Sequence, residues 1–388
     1  MRDIRALFPT DDPVPAHMMI GRAADVETIS QALANGTNVV LAGARRTGKT
    51  SVGEAALERL RAAGLYTAAI DLFERRDALD LAEGLAQAVL ANRSAARRLL
   101  ARVRDTAGAV VDAATITMSA RIQAELGEAV ELALRPGAGA RDPNRALRAA
   151  LELPQRIADV DGARMVVFLD EFQDLASPAH PFGEPDRLTK QMRAIFQRSP
   201  GVSFLFAGSV EHVMRDLFGR ADRALSQFGG FRALSPITVA EWRTGLGERF
   251  AQAGATIDGG GFDMLIALAD GHPRATMLIA REALAATLAP GLDHVGPAEV
   301  QAGWELAVAS DRQRHEQALE RIKLTKHALT VAVRVARGQP PYPGLAPSAA
   351  QRALRALELA AFVDSPARGH WRMYDPLLRQ YIAQLPGR

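Results

Sequence analysis

Apolar positions along the chain change period several times, and each change marks an element. From Gly21 a helical period begins. Ala24, Ile29 and Leu33 fall on one side, and Asn35-Gly36 reads as the C-cap. Residues 38–42 are a short apolar run of strand type, followed by a Gly-rich turn and a helix through Val52, Ala56 and Leu60 that stops near Gly64. Residues 66–72 read as a second strand, and the order strand, turn, helix, strand predicts a βαβ unit in a parallel sheet. Residues 77–104 look helical. Residues 116–122 alternate apolar and polar side chains, as in a strand of an insert hairpin or a partner-binding edge. A loop is expected at 136–143, a helix at about 144–159 and a buried strand at 165–169. A helix around 185–198 and a strand at 202–207 repeat the alternation. After Ile237 the pattern is helical only, broken at Gly259-Gly260-Gly261 and again at Gly271-His272-Pro273. A last segment begins near Glu316, with helices, a Pro-rich turn at 340–347 and a hairpin-like stretch at 362–374.

Two motifs carry chemistry. Gly43-Ala44-Arg45-Arg46-Thr47-Gly48-Lys49-Thr50 fits G-x-x-x-x-G-K-[ST] and follows a strand and precedes a helix, as that pattern requires. The glycines let the backbone curl so that successive N–H groups face phosphates. The helix that follows adds its N-terminal partial charge. Lys49 is expected to reach the β- and γ-phosphates and the Thr50 hydroxyl to ligate Mg²⁺. The bland alternative is an ordinary Gly turn before a helix. The second motif is Asp170-Glu171, which closes the apolar run 165–169. Acids at the C-terminal edge of a parallel strand would sit beside the phosphate loop. Asp170 is expected to support Mg²⁺, and Glu171 to orient and polarise the attacking water. The alternative is a solvated acidic loop, since Asp174 adds another acid.

Composition alters the weight of these motifs. The chain has 388 residues, 48% hydrophobic and 23% charged, enough for one large domain with one or two small ones and too apolar for bulk disorder. With 47 basic against 44 acidic residues, it is not a polyanion-binding arm. Lysine occurs only at Lys49, Lys190, Lys323 and Lys326, so a lysine in register is informative and an arginine cluster is less so. The absence of cysteine excludes disulfides and thiolate zinc sites. The eight histidines show no H-E-x-x-H spacing, and no G-x-S-x-G elbow occurs. No apolar run approaches the ~18 residues that would span a bilayer. The first residues lack the apolar core of a signal peptide. A cytoplasmic protein without a membrane partner is the expectation.

With these motifs in place, the chain resembles the archaeal-type ATPase family of P-loop NTPases, close to the AAA+ and STAND groups. Met19-Ile20-Gly21-Arg22 looks like the family's entry motif, and 38–51 is similar to its P-loop. Phe168-Leu169-Asp170-Glu171-Phe172-Gln173 looks like its Walker B motif. Phe206-Ala207-Gly208-Ser209 stands where the family carries a polar sensor, and Gly271-His272-Pro273-Arg274 resembles the motif of its helical lid. Asp375-Pro376-Leu377-Leu378-Arg379-Gln380-Tyr381 looks like the end of its winged helix.

The resemblance covers about residues 18–385. It implies an α/β fold: an AAA+-like parallel-sheet core with a helical lid and a C-terminal winged-helix domain. The implied divisions are an N-terminal arm at 1–20, a core at 21–237 with an insert at about 77–160, a lid at 238–315 and a winged helix at 316–388. ATP and Mg²⁺ are the implied cofactors, with adenine preferred over guanine by resemblance only. Gly43, Ala44, Arg45, Arg46, Thr47, Gly48, Lys49, Thr50 and Ser51 would hold the nucleotide, with Arg274 reaching phosphate from the lid. Arg274 could instead be an exposed arginine on an Ala-rich helix. Thr50 and Asp170 would hold the metal, and Glu171, Lys49 and Ser209 would serve hydrolysis. Ser209 would sense the γ-phosphate or simply cap the next helix. Arg45 and Arg46 either touch phosphate or pair with nearby acids. Arg215, Arg220 and Arg223 are candidates for an arginine finger, which in trans requires an oligomer.

At the C-terminus a capped helix is expected from Ser348, with Leu354 and Leu357 inward and Gln351, Arg352 and Arg355 outward. A two-stranded wing with Arg368 and His370 would follow. Pro-rich residues 339–344 stand where a helix-turn-helix needs its first helix, which is expected to be short or absent. Such a module serves DNA or protein contact. The reading is a slow Mg-dependent ATPase acting as a molecular switch through a protein partner. The alternatives are a DNA-associated ATPase of origin-recognition or transposition type, or a nucleotide-binding regulator with negligible turnover.

Overall fold

A computed structural model describes residues 3–10, 13–43, 45–92, 142–176, 182, 184–367 and 369–385. The alternating stretch 116–122, most of the expected loop at 136–143, Ala44 and Arg368 lie outside the described residues. The chain divides into two compact units, one of residues 24–43 and 49–233, the other of residues 1–23, 44–48 and 234–388.

The first unit is an α/β layer structure. Its helices are α1 (Ala23–Ala34), α2 (Lys49–Ala62), α3 (Ala78–Leu90), α4 (Pro143–Asp161), α5 (Pro185–Phe196) and α6 (Glu211–Gly219). Its strands are β1 (Val39–Ala42), β2 (Tyr66–Asp71), β3 (Met165–Asp170), β4 (Val202–Gly208) and β5 (Gly230–Arg232). The sheet is wholly parallel in the order β2-β3-β4-β1-β5. Strands β1, β3 and β4 are buried along their whole length, which is why they read as unbroken apolar runs. Phe168, Phe172, Phe204 and Phe206 are among the largest side chains in this core.

Two features lie beyond the sequence reading. β4 lies between β1 and β3, so the Asp170 strand is not next to the phosphate-loop strand. The fifth strand, Gly230–Arg232, was not anticipated. Its three residues are exposed and belong to no apolar pattern; their parallel pairing with Val39, Val40 and Leu41 of β1 defines it.

The second unit has two apolar cores. Helices α7 (Val239–Gln252), α8 (Gly259–Ala269), α9 (Pro273–Leu288) and α10 (Pro297–Ser310) enclose the first, with Phe8, Trp242, Phe250 and Trp304 inside. Helices α11 (Arg312–Lys323), α12 (Ala328–Ala336), α13 (Pro347–Leu359) and α14 (Pro376–Ala383) build the second with the antiparallel hairpin β8 (Val363–Ala367) and β9 (His370–Met373). Adjacent residues of α14 serve different cores: Leu377 the first, Leu378 the second. Position 316 falls inside α11.

Several expectations are corrected here. The region after Ile237 is not helical only, because β6 (Thr256–Ile257) pairs in parallel with β7 (His294–Val295). Gly259, Gly260 and Gly261 do not break a helix; they form the first turn of α8, capped by the Asp258 carboxylate accepting from Gly261 N–H at 2.6 Å. The helix expected to be short or absent before the Pro-rich turn is α12, nine residues long and apolar on its packed side. The helix from Ser348 starts at Pro347, and Ala346 at its N-cap offers no side-chain bond. Leu354 and Leu357 are buried, while Gln351, Arg352 and Arg355 are exposed, as the periodicity required.

Close packing of α9 on α10 depends on Gly303. A β-carbon there would stand 2.5 Å from Ala283 N and 2.7 Å from Ala283 Cα, both backbone atoms that cannot swing aside. Gly303→Ala is expected to lower unfolding free energy by about 1–3 kcal/mol, the usual cost of overpacking. Urea denaturation measures this, and an unchanged midpoint would contradict the packing argument.

Candidate functional site

The candidate site in the first unit collects at the C-terminal edge of the sheet. The register aligns Ala42 with Gly208 and Asp71 with Asp170, so the ends of neighbouring strands come out level. This is where a parallel sheet presents ligand-binding loops. β1 leads into the phosphate loop, and α2 begins at Lys49 itself. Gly48 has φ +94°, a backbone region that L side chains rarely adopt, so the turn into α2 requires glycine there. Lys49 is buried, and its Nζ donates to Gly43 O at 3.0 Å across the loop.

Thr50 Oγ1 donates to Asp170 Oδ2 at 2.6 Å. The structure thus brings these two together although β4 separates their strands, because the first turn of α2 reaches over the end of β4. Asp170 is buried, and burial pushes its carboxyl above the usual range, with the Thr50 hydroxyl opposing. A buried carboxylate and a hydroxyl in contact are a hard-oxygen donor set suited to Mg²⁺. Among the described residues no three acidic or histidine side chains surround a common point, so a metal here would rely on Thr50, Asp170, water and a substrate phosphate.

Glu171 has φ +47°, an unusual conformation for a non-glycine residue. Its carboxylate is held at both oxygens. Oε1 accepts from Ser209 Oγ at 2.7 Å, and Oε2 accepts from Gln173 Nε2 at 2.5 Å. Gln173 Oε1 in turn accepts from Ser209 N–H at 3.0 Å, closing a ring of three residues. The simple capping role for Ser209 is therefore corrected: Val210 is the N-cap of α6, and the Ser209 hydroxyl is turned to Glu171. Gln173 is a site residue that sequence reasoning quoted but gave no role. Its one signal is its position two residues after Glu171.

Asp71 was also missed. It ends β2, and burial, with Asp170 and Glu171 nearby, pushes its carboxyl up to about 6. The unfolded chain releases this proton at lower pH, so ionisation favours unfolding. The stabilising effect of the raised value is complete below about pH 4 and is lost as pH rises through about 6. Asp71→Asn keeps an acceptor for the Phe73 N–H, which Asp71 Oδ1 binds at 2.8 Å. Without nucleotide or Mg²⁺, the variant should gain on the order of 1 kcal/mol over wild type between pH 4 and 7, allowing for solvent screening. Thermal melts across that range test it; parallel pH curves would refute it.

The remaining sequence candidates are engaged elsewhere. Arg215 binds Glu211 at 2.8 Å, Arg220 binds Asp216 and Asp222, and Arg223 binds Asp186 and Asp216. In the second unit, Arg22 Nη2 donates to Thr47 O at 3.0 Å, which ties the entry motif to the loop. Arg46 pairs with Asp375 at 2.9 Å. Arg274 is not an exposed arginine. It is about 8% exposed and gives two bonds to the Asp311 carboxylate, at 2.5 and 2.8 Å, and one to Thr10 O at 3.1 Å. Contact with phosphate would require that pair to open.

No protein-family model matches the sequence, and comparison with curated proteins finds no match. Solved structures do match. The chain is similar to the Walker-type ATPase PABY2304 of Pyrococcus abyssi, at 14% identity over 97% of this chain and 99% of that one, with a TM-score of 0.70. It is also similar to the ORC2 protein of Aeropyrum pernix in ADPNP–ADP complexes, at 17% identity over 99% and 98%, with a TM-score of 0.57. At these identities the likeness shows the fold alone: an α/β chain with a parallel-sheet core, matched over nearly its whole length. No helix among the described residues is long and apolar enough to cross a membrane.

Proposed function

We propose that this chain, which has the fold of a Walker-type ATPase, binds Mg·ATP at the C-terminal edge of its sheet and hydrolyses it slowly. The observation that carries the reading is the Thr50–Asp170 bond beside the Glu171–Ser209–Gln173 ring, at the same edge of the sheet where β1 opens into G-x-x-x-x-G-K-T. The likeness to a protein crystallised with ADPNP and ADP supports nucleotide as the ligand.

In this reading the loop N–H groups of residues 43–50 and the N-terminus of α2 receive the phosphates. Lys49 exchanges its bond to Gly43 O for phosphate oxygen. Magnesium would be held by Thr50 and Asp170, and when bound it neutralises charge on the β- and γ-phosphates. Glu171 accepts a hydrogen bond from the attacking water and aligns it with the γ-phosphorus. Ser209 holds that carboxylate, so a γ-phosphate that draws the Ser209 hydroxyl away releases Glu171 to the water. Sensing and activation then share one hydrogen bond.

The working division is an arm (1–20), an ATPase core (21–237), a lid (238–311) and a winged helix that begins with α11 (312–388). The Arg46–Asp375 pair supports a switch. Arg46 belongs to the phosphate loop, and Asp375 caps α14 through Leu377 and Leu378 N–H. Nucleotide that redirects Arg46 would loosen that cap, and the released surface would be offered to a protein partner. One observation favours a second reading, a DNA-associated ATPase: Gln351, Arg352 and Arg355 share the exposed face of α13.

The test is steady-state ATP hydrolysis with Mg²⁺, with and without duplex DNA, for wild type and Lys49→Ala. Slow turnover that depends on Lys49 and ignores DNA is expected. Stimulation by DNA, lost with Arg352→Ala and Arg355→Ala, would replace the switch with the second reading. Hydrolysis unaffected by Lys49→Ala would overturn both.

A further inference from the structure

The ring of Glu171, Ser209 and Gln173 is not symmetrical, and Gln173 has no task in the proposed hydrolysis. Gln173 is 5% exposed. It belongs to a 3₁₀ turn, Phe172–Ala176, that follows β3. Phe172 pins this turn: it is fully buried, and its ring meets that of Phe206 edge to face, centroids 4.8 Å apart. Gly208 leaves space for the amide, since a β-carbon there would stand 2.8 Å from Gln173 Oε1. The amide has two partners of different kinds. Its Oε1 accepts from the main-chain N–H of Ser209 at 3.0 Å, and its Nε2 donates to Glu171 Oε2 at 2.5 Å. Only the oxygen of an amide accepts from N–H, so the first contact fixes which end faces Glu171.

The Ser209 hydroxyl, by contrast, is a single rotor. It can leave Glu171 Oε1 for a phosphate oxygen without moving the main chain of residue 209. Both bonds of Gln173 survive that rotation. Glu171 then stays anchored at Oε2, with Oε1 vacated. The anchor matters because the neighbouring carboxyls of Asp170 and Asp71 repel this carboxylate. Turned away from them, it would lose its aim.

We infer that Gln173 is a positioning residue for hydrolysis: it holds Glu171 by Oε2, so that Oε1, the oxygen released by Ser209, is the one that meets the attacking water. The inference rests on the ATPase reading and deepens it by giving the two carboxylate oxygens separate tasks. As the water oxygen bonds to the γ-phosphorus and the bond to the β–γ bridging oxygen breaks, the water proton passes to Oε1. Oε2 keeps its bond to the amide throughout. Gln173 acts only through Glu171 and Ser209.

The experiment is a double-mutant cycle on the full-length protein, with Gln173→Met, Glu171→Gln and both together. Single-turnover ATP hydrolysis and fluorescent-nucleotide binding are measured for each. Methionine fills the same space without an amide. Gln173→Met is expected to slow hydrolysis by about 10–100-fold, the scale of an ångström-sized misplacement, with nucleotide affinity unchanged. In the Glu171→Gln background the same change should have no further effect, because no base remains to be positioned. A merely structural glutamine would slow both backgrounds alike, so losses that multiply would overturn the inference. An unchanged rate would do the same, as would a fall in nucleotide affinity that matches the fall in rate. If Gln173→Met fails to fold, Gln173→Asn takes its place in the cycle, since its amide is one methylene too short to span both partners. Failure of the ATPase reading appears separately, as wild-type hydrolysis that does not depend on Lys49, and would overturn this inference with it.

Discussion

Glu171→Gln is expected to lower single-turnover ATP hydrolysis by roughly 10²–10⁴-fold, the usual contribution of a positioned general base. ATP binding should change little, because Lys49, Thr50 and Asp170 are untouched. The substitution preserves shape and replaces one carboxylate oxygen by an NH₂ group. One of the two bonds from Ser209 and Gln173 must then be lost, since a carboxamide has a single acceptor oxygen. The basic lone pair that would take the water's proton disappears with it. Fluorescent-nucleotide binding and rapid-quench hydrolysis, measured on the same preparation, separate these effects. An unchanged rate would remove Glu171 from the chemistry. A parallel loss of binding would mean that the ring of Glu171, Gln173 and Ser209 supports the loop rather than the reaction.

The second large effect concerns stability. Asp311→Asn should cost about 3–5 kcal/mol, because it leaves the Arg274 guanidinium buried without its counter-charge. Surface pairs such as Arg312–Glu316 contribute far less, since water already solvates them. Replacing both partners together, Arg274→Met with Asp311→Leu, should recover most of the loss, because no charge then remains buried. Urea unfolding of the three variants provides the measurement. The double variant also examines the expected phosphate contact of Arg274. Unchanged nucleotide affinity would mark the arginine as structural, and a tenfold weakening would restore its ligand role. If Asp311→Asn proved as stable as wild type, the pair would not be the buried anchor described.

How much of this was legible in the sequence varies from residue to residue. The G-x-x-x-x-G-K-T turn was readable because its pattern occupies eight contiguous positions, with Gly48 at a positive φ and lysine at the helix start. Rare lysine usage made Lys49 stand out further. Asp170 and Glu171 were readable because a strand buried on both faces produces an apolar run whose end is conspicuous. The outward face of α13 followed from a period of 3.6. Each of these signals lies within one element, where local sterics and burial act on neighbours in the chain.

What was not legible depends on partners distant in sequence. Gly230–Arg232 is a strand only because β1 offers it an edge. The insertion of β4 between β1 and β3 leaves no trace in periodicity. Ser209 turns to Glu171 rather than capping α6 because Gln173 and Glu171 are folded beneath it, 36 and 38 residues earlier. Arg274 read as a phosphate ligand or as a solvent-facing residue on an Ala-rich helix, and its burial against Asp311 left no signal in the sequence. By itself, the sequence determined the place of the G-x-x-x-x-G-K-T turn between strand and helix, the acidic pair at a strand end and the identity of most helices and buried strands, because backbone propensity, glycine conformation and burial period are local properties. The tertiary structure alone decided strand order and the pairing of each charge, because desolvation makes a buried ionic group depend on whatever the fold brings against it.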